Sequence, residues 1–104
     1  LENVAGLVLF SFPLHLPGRP DTKRAEHLAN IKVPMLFLSG TRDELATLDL
    51  LEPTIKSLGN HAALHLIDTA NHSYKILKKT RTSDEDVFAE MAGKTLSWIS
   101  EIGV

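Results

Sequence analysis

Asp43 and His72 are the two residues whose types and placement could do acid–base chemistry. Asp43 closes the stretch Val33-Pro34-Met35-Leu36-Phe37-Leu38-Ser39-Gly40-Thr41-Arg42-Asp43, an apolar run followed by a small-residue turn and one carboxylate. His72 stands in Asn71-His72-Ser73, after the apolar run Ala62 to Ile67. Neighbouring parallel strands lie ~4.8 Å apart, so loops leaving the same edge can bring such a pair into contact. An Asp that accepts the Nδ1 proton of a His fixes its tautomer and stabilises the imidazolium. The Nε2 is then free to take a proton from a hydroxyl nucleophile. The alternative is a solvated turn Asp and a loop His, and the two residues by themselves leave both readings open.

The elements that must position the pair can be read from apolar patterning. The unbroken run before Ser39-Gly40 reads as a strand buried on both faces, as in a parallel sheet under helices. Asp43 then falls just past its carboxyl end, the edge at which open parallel sheets bind ligands. Val4 to Phe12, broken only by Gly6 and Ser11, predicts an earlier strand closed by Pro13. Three prolines and Gly18 between Pro13 and Asp21 predict a stiff loop. Asp21 or Thr22 can cap a short helix, Lys23 to Asn30, with Ala25, Leu28 and Ala29 inward. Thr47 can cap a second helix, Leu48 to Leu58, with Leu51, Ile55 and Leu58 at helical spacing and Gly59 after its end. Pro53 removes a donor there and is expected to confine the regular part to the second half. Ala62 to Ile67 predicts the third strand, and Asp68 to Thr82 a long polar connection. Ser83-Asp84-Glu85-Asp86 predicts a hydroxyl-capped helix running to about Ile102. Its expected inner face is Phe88, Ala92, Thr95 and Ile99, flanked by Met91, Trp98 and Ile102. Strand–helix alternation of this kind predicts an α/β fold: a three-stranded parallel sheet with flanking helices and right-handed crossovers.

Composition excludes several function classes. A chain of 104 residues has room for one domain. Its 43% apolar and 23% charged content is that of an ordinary globular protein. The net charge of −2 creates no field that would draw in nucleic acid or anionic lipid. The absence of cysteine removes disulfides and a thiolate nucleophile. No apolar run reaches ~18 residues, so no membrane span is expected. Leu1-Glu2-Asn3 does not read as a signal peptide, which with the lack of cysteine predicts a cytoplasmic protein. That start resembles the interior of a longer chain.

Other constellations are weaker. His61 and His65 are four apart on a turn and strand, where such positions are separated by ~13 Å, too far to share a metal. Lys75, Lys78, Lys79 and Arg81 read as a solvated basic loop, with no interleaved aromatics to suggest nucleic acid. No phosphate-binding or dinucleotide glycine pattern is present, so no cofactor is expected. Trp98 reads as a packing residue.

Three segments, FPLHLPGRPDTKRAEHL (Phe12 to Leu28), IKVPMLFLSGTRDEL (Ile31 to Leu45) and LIDTANHSYK (Leu66 to Lys75), carry a family likeness. They resemble the carboxyl-terminal half of small α/β-hydrolases, within the dienelactone-hydrolase-related branch of predicted serine hydrolases. The resemblance covers nearly the whole chain and implies that the three strands are the last three of the hydrolase sheet. It implies Asp43 as the triad acid, His72 as the triad base and His15, on the loop above the sheet, as a substrate-binding residue. Asn71 stands where such proteins commonly have Asp.

That family places its nucleophile before the acid and base, on a G-x-S-x-G turn between a strand and a helix. The sequence contains no G-x-S-x-G. Ser11 is followed by Phe12-Pro13, Ser39 has no Gly two residues before it, and Ser73 adjoins the base. Residues 1–104 therefore read as a single partial domain without the nucleophile-bearing half. The exposed Val4 to Phe12 strand predicts a homodimer through that edge, or a separate chain supplying the missing half. Two function classes follow: an esterase-like serine hydrolase portion that is inactive alone, or a non-catalytic assembly or ligand-binding domain.

Overall fold

A computed structural model describes residues 3–19 and 21–103 of the chain. Pro20, in the expected stiff loop, lies outside the described residues. Three parallel strands form one sheet in the order β1-β2-β3: β1 Leu7–Phe10, β2 Met35–Gly40 and β3 Ala62–Ile67. A 3₁₀ helix, Lys23–Asn30, and α1, Leu48–Leu58, connect them, and α2, Val87–Glu101, follows β3.

All six residues of β2 are buried, as the unbroken apolar run requires of a central strand. Alternation along β2 splits the core into two layers. Met35 and Phe37 face the 3₁₀ helix and α1, packing with Leu14, Leu28, Leu51 and Ile55. Leu36 and Leu38 face α2, packing with Ile67, Met91 and Trp98. Register sets Leu38 between Phe10 and His65, and Gly40 beside Ile67. The loops that carry Asp43 and His72 thus leave the same rim of adjacent strands.

Several local expectations need correcting. β1 is shorter than Val4 to Phe12 at both ends, and at its carboxyl end Ser11 turns into the left-handed region at φ 50 and takes the chain off the ladder. The first helix is 3₁₀, whose three-residue turn stacks Ala25 and Leu28 inward and leaves Ala29 exposed. Pro53 does not shorten α1, which runs on both sides of it. The carbonyl it leaves without a donor belongs to exposed Asp49, where water can satisfy it. Thr47 occupies the N-cap of α1 with its hydroxyl turned away from the helix, 3.2 Å from His15 Nε2.

α2 begins later than expected and is capped by Asp86, whose carboxylate accepts from Ala89 N–H at 3.1 Å. Ser83 closes the preceding turn instead, accepting from Glu85 N–H. The buried face is Val87, Met91 and Trp98, while Phe88, Leu96 and Ile99 are exposed. The helix carries two apolar stripes, and only one meets the sheet. No helix among the described residues is long and apolar enough to cross a membrane.

In the connection from β3 to α2, Lys75, Lys78 and Lys79 are exposed, as a solvated basic loop requires, but Arg81 is not. Arg81 has a side chain only 2% exposed. It donates to Asp68 C=O at 2.7 Å and to Glu90 Oε1 at 2.6 Å, while His65 donates to Glu90 Oε2 at 2.5 Å. Burial alone would raise the Glu90 carboxyl, but the His65 and Arg81 hydrogen bonds and their charges outweigh it and hold it below its usual range. A carboxyl depressed by folding stabilises above its unfolded pKa and loses that contribution as pH falls through the folded value. Glu90→Gln is therefore expected to lower stability at neutral pH by about 1–3 kcal/mol. Urea midpoints of variant and wild type should converge as pH falls below the ordinary glutamate range.

Candidate active site

The rim of the sheet is built around one glycine. β2 ends at Gly40, and the chain after β3 crosses directly over it. A Cβ on Gly40 would lie 2.1 Å from Ala70 O and 2.9 Å from Asn71 O, so only glycine lets the two backbones pass. Thr41 N–H then donates to Ile67 C=O and Arg42 N–H to Ala70 C=O, tying the Asp43 turn to the His72 loop.

Asp43 is 2% exposed. Its Oδ1 accepts from Leu45 N–H at 2.8 Å, and both oxygens face His72 Nδ1, at 3.1 and 2.9 Å. A carboxylate only accepts, so Nδ1 donates to it, and in the neutral ring this tautomer leaves the Nε2 lone pair free. The His72 side chain is 38% exposed, which opens Nε2 to a ligand. With Pro17, Arg42, Glu44, Leu45 and Asn71, His72 lines a cleft of about 290 Å³. A larger hollow of about 650 Å³, between residues 74–81 and the start of α2, is lined by neither Asp43 nor His72.

Local interactions shape the base's loop. Asn71 Oδ1 accepts from Ser73 N–H and Lys75 N–H, both at 3.0 Å, so an amide does here what a carboxylate would do in closing the turn. Arg42 clamps the loop at both ends, donating from Nε to Thr69 C=O at 2.6 Å and from Nη2 to Lys75 C=O at 3.1 Å. Thr69 and Tyr74, at either side of His72, are both left-handed, with φ of 63 each. These holding roles are not legible in the sequence. Backbone-directed hydrogen bonds have no spacing signature, and Arg42 could have been suspected only from its place inside the G-T-R-D turn.

His15 is 3% exposed, with both ring nitrogens engaged internally. Nδ1 donates to Leu16 C=O at 2.8 Å, and Nε2 accepts from Thr47 N–H at 3.2 Å. It holds the loop that carries Pro17 into the cleft wall and presents no nitrogen to the cleft.

The serines are dispersed. Ser11 Oγ donates to the backbone carbonyl of His72 at 2.7 Å. Ser39 is buried, its hydroxyl without a partner among the described residues, and Ser73 is exposed beside the base. Among the described residues, no side-chain hydroxyl is hydrogen-bonded to His72 Nε2. His61 and His65 do not meet: His61 donates to Ile31 C=O, and His65 to Glu90.

Fold and site together define a class: a parallel α/β sheet with a buried Asp hydrogen-bonded to a half-exposed His on its carboxyl rim. A family model described as the alpha/beta hydrolase domain matches residues 1–100, and the chain belongs to that family. No solved structure matches the chain.

Proposed function

We propose that this chain supplies the acid and the base of a serine hydrolase site acting on an ester or related acyl substrate, with the nucleophile coming from outside the 104 residues. The observation that carries the reading is the His72 imidazole, with Nδ1 donated to buried Asp43 and Nε2 left open at a cleft. That is the arrangement a base needs to deprotonate a hydroxyl and pass the proton to a leaving group. Relation to dienelactone hydrolases is the finer form of this reading, and rests on the likeness of the G-T-R-D and H-S-Y segments. His15 serves the site through the loop it holds.

Two apolar surfaces that no other described residue covers support an incoming segment. β1 is an edge strand with Phe10 55% exposed. On α2, Glu90, Gly93, Lys94 and Ser97 border a hollow with His65 and Leu66 of β3. Phe88, Ala92 and Ile99 lie on the opposite flank by helical geometry, the side of the open β1 edge. A strand beside β1 and a helix beside α2 would cover both and continue the sheet. A chain purified alone has only copies of itself to cover this surface, so it is expected to form a homodimer through the β1 edge.

The test is complementation. Alone, the chain should sediment as a dimer at micromolar concentration and show no turnover of an activated ester. Adding a nucleophile-bearing amino-terminal segment of an alpha/beta hydrolase of the same family should replace the homodimer with a mixed species and produce esterase activity. A monodisperse monomer would remove the dimer. A mixed species without activity would favour the non-catalytic reading.

A further inference from the structure

The loop that carries His72 leaves β3, crosses the end of β2 over Gly40 and reaches the end of β1. It is held there by a small network that no step of acid–base chemistry requires. The Leu38 carbonyl accepts twice, from Ser11 N–H at 2.9 Å and from the Tyr74 hydroxyl at 2.9 Å. Ser11 Oγ, on the same residue, donates to His72 C=O at 2.7 Å. Both side chains hang from strained backbone: Ser11 at φ 50 and Tyr74 at φ 63. The left-handed region is unfavourable for a serine and more so for a bulky tyrosine, and such residues persist where the surroundings over-determine them. Burial pushes the Tyr74 phenol up, hydrogen bonding with Ser11 opposes this, and the nearby Asp43 charge adds to the rise. The phenol thus stays a neutral donor beneath the pair.

We infer that Ser11 and Tyr74 are positioning residues for His72: together they fix the backbone of the base from the β1 side, so that its imidazole meets Asp43 in one orientation. Asp43 alone holds only the ring. Arg42 and Asn71 fasten the loop at Thr69, Ser73 and Lys75. The bond to His72's own carbonyl comes from Ser11, and releasing it would let the His72 peptide turn and carry the imidazole in and out of the carboxylate's reach. The inference rests on reading His72 as a base.

Ser11→Gly separates positioning from mere structure. Glycine accepts φ 50 without strain and removes the hydroxyl, so the melting temperature should stay level or rise. Exchange of the His72 Nδ1 proton with solvent, followed by proton–nitrogen NMR on the isotope-labelled chain, should accelerate by about tenfold, the scale of one lost hydrogen bond. Tyr74→Phe, which removes one oxygen, should act in the same direction. Unchanged exchange in both variants would overturn the clamp while leaving His72 as the base. Acceleration matched by an equal fall in melting temperature would reduce both residues to general stability and overturn it as well. A wild-type chain with no protected Nδ1 proton would overturn the reading of the base itself, and the clamp with it.

Discussion

Gly40→Ala is expected to be the most damaging single substitution in the chain. The added methyl would meet Ala70 O at 2.1 Å and Ala70 C at 2.5 Å, both backbone atoms with no rotamer to escape through. Relief requires lifting the 70–72 segment off the end of β2, which breaks the Arg42 N–H bond to Ala70 C=O at 2.9 Å. It also withdraws His72 from Asp43. Clashes of this kind belong to the tail of mutational effects, at about 4 kcal/mol or more. A domain of this size has a total stability of about 5–15 kcal/mol. With each kcal/mol worth roughly 4–8 °C, the melting temperature should fall by roughly 15–30 °C. Gly93→Ala is the control of opposite sign. Nothing lies within 4 Å of its Cβ position on α2, so the helix should gain about 0.5–1 kcal/mol. Thermal melts of the two variants against wild type test both. A Gly40→Ala protein with wild-type stability would mean that the His72 loop does not cross the strand end as described.

In the complemented enzyme, Asp43→Asn should abolish nearly all activity while leaving the fold intact. The asparagine oxygen can still accept from Leu45 N–H, as Asp43 Oδ1 does at 2.8 Å. Its amide N–H₂ then faces His72 Nδ1, which can pair with it only as an acceptor. That selects the tautomer with the proton on Nε2, the nitrogen that must be empty to take the nucleophile's proton. The charge that stabilises the imidazolium is lost as well. In a serine triad the same exchange costs about 10⁴ in turnover. His72→Ala removes the base altogether and should cost on the order of 10⁶. Steady-state rates of the complemented protein, with sedimentation to confirm assembly, give both numbers. A loss of less than tenfold for Asp43→Asn would leave the carboxylate as a structural turn residue.

How far the molecule could be read from its sequence depends on what each feature rests on. The strands rest on apolar runs, and β3 stands at Ala62–Ile67 as its run predicts. Asp43 and His72 come together because both follow strand ends, and parallel pairing then leaves little freedom in where they meet. The sequence does not reveal the inner face of α2, because Phe88, Ala92 and Ile99 are as apolar and as helically spaced as Val87, Met91 and Trp98. Periodicity shows a stripe without saying which of two stripes has a partner. Ser83, Asp84 and Asp86 can all cap, and only the backbone path decides for Asp86. Arg81 looked like one more basic loop residue because its burial depends on Glu90 from another element. Ser11 and Tyr74 were hidden for a similar reason: they bond to carbonyls, which every residue has.

On the proposed function, residues 1–104 hold an acid and a base without the hydroxyl they would activate. A fluorophosphonate probe, followed by mass-spectrometric mapping of the labelled serine, tests it most directly. The chain alone should take no label. Mixed with a nucleophile-bearing segment, all label should fall on that segment's serine and should disappear with His72→Ala. Label on Ser11, Ser39 or Ser73 of this chain, lost on the same substitution, would mean that the chain carries its own nucleophile and would contradict the proposed function.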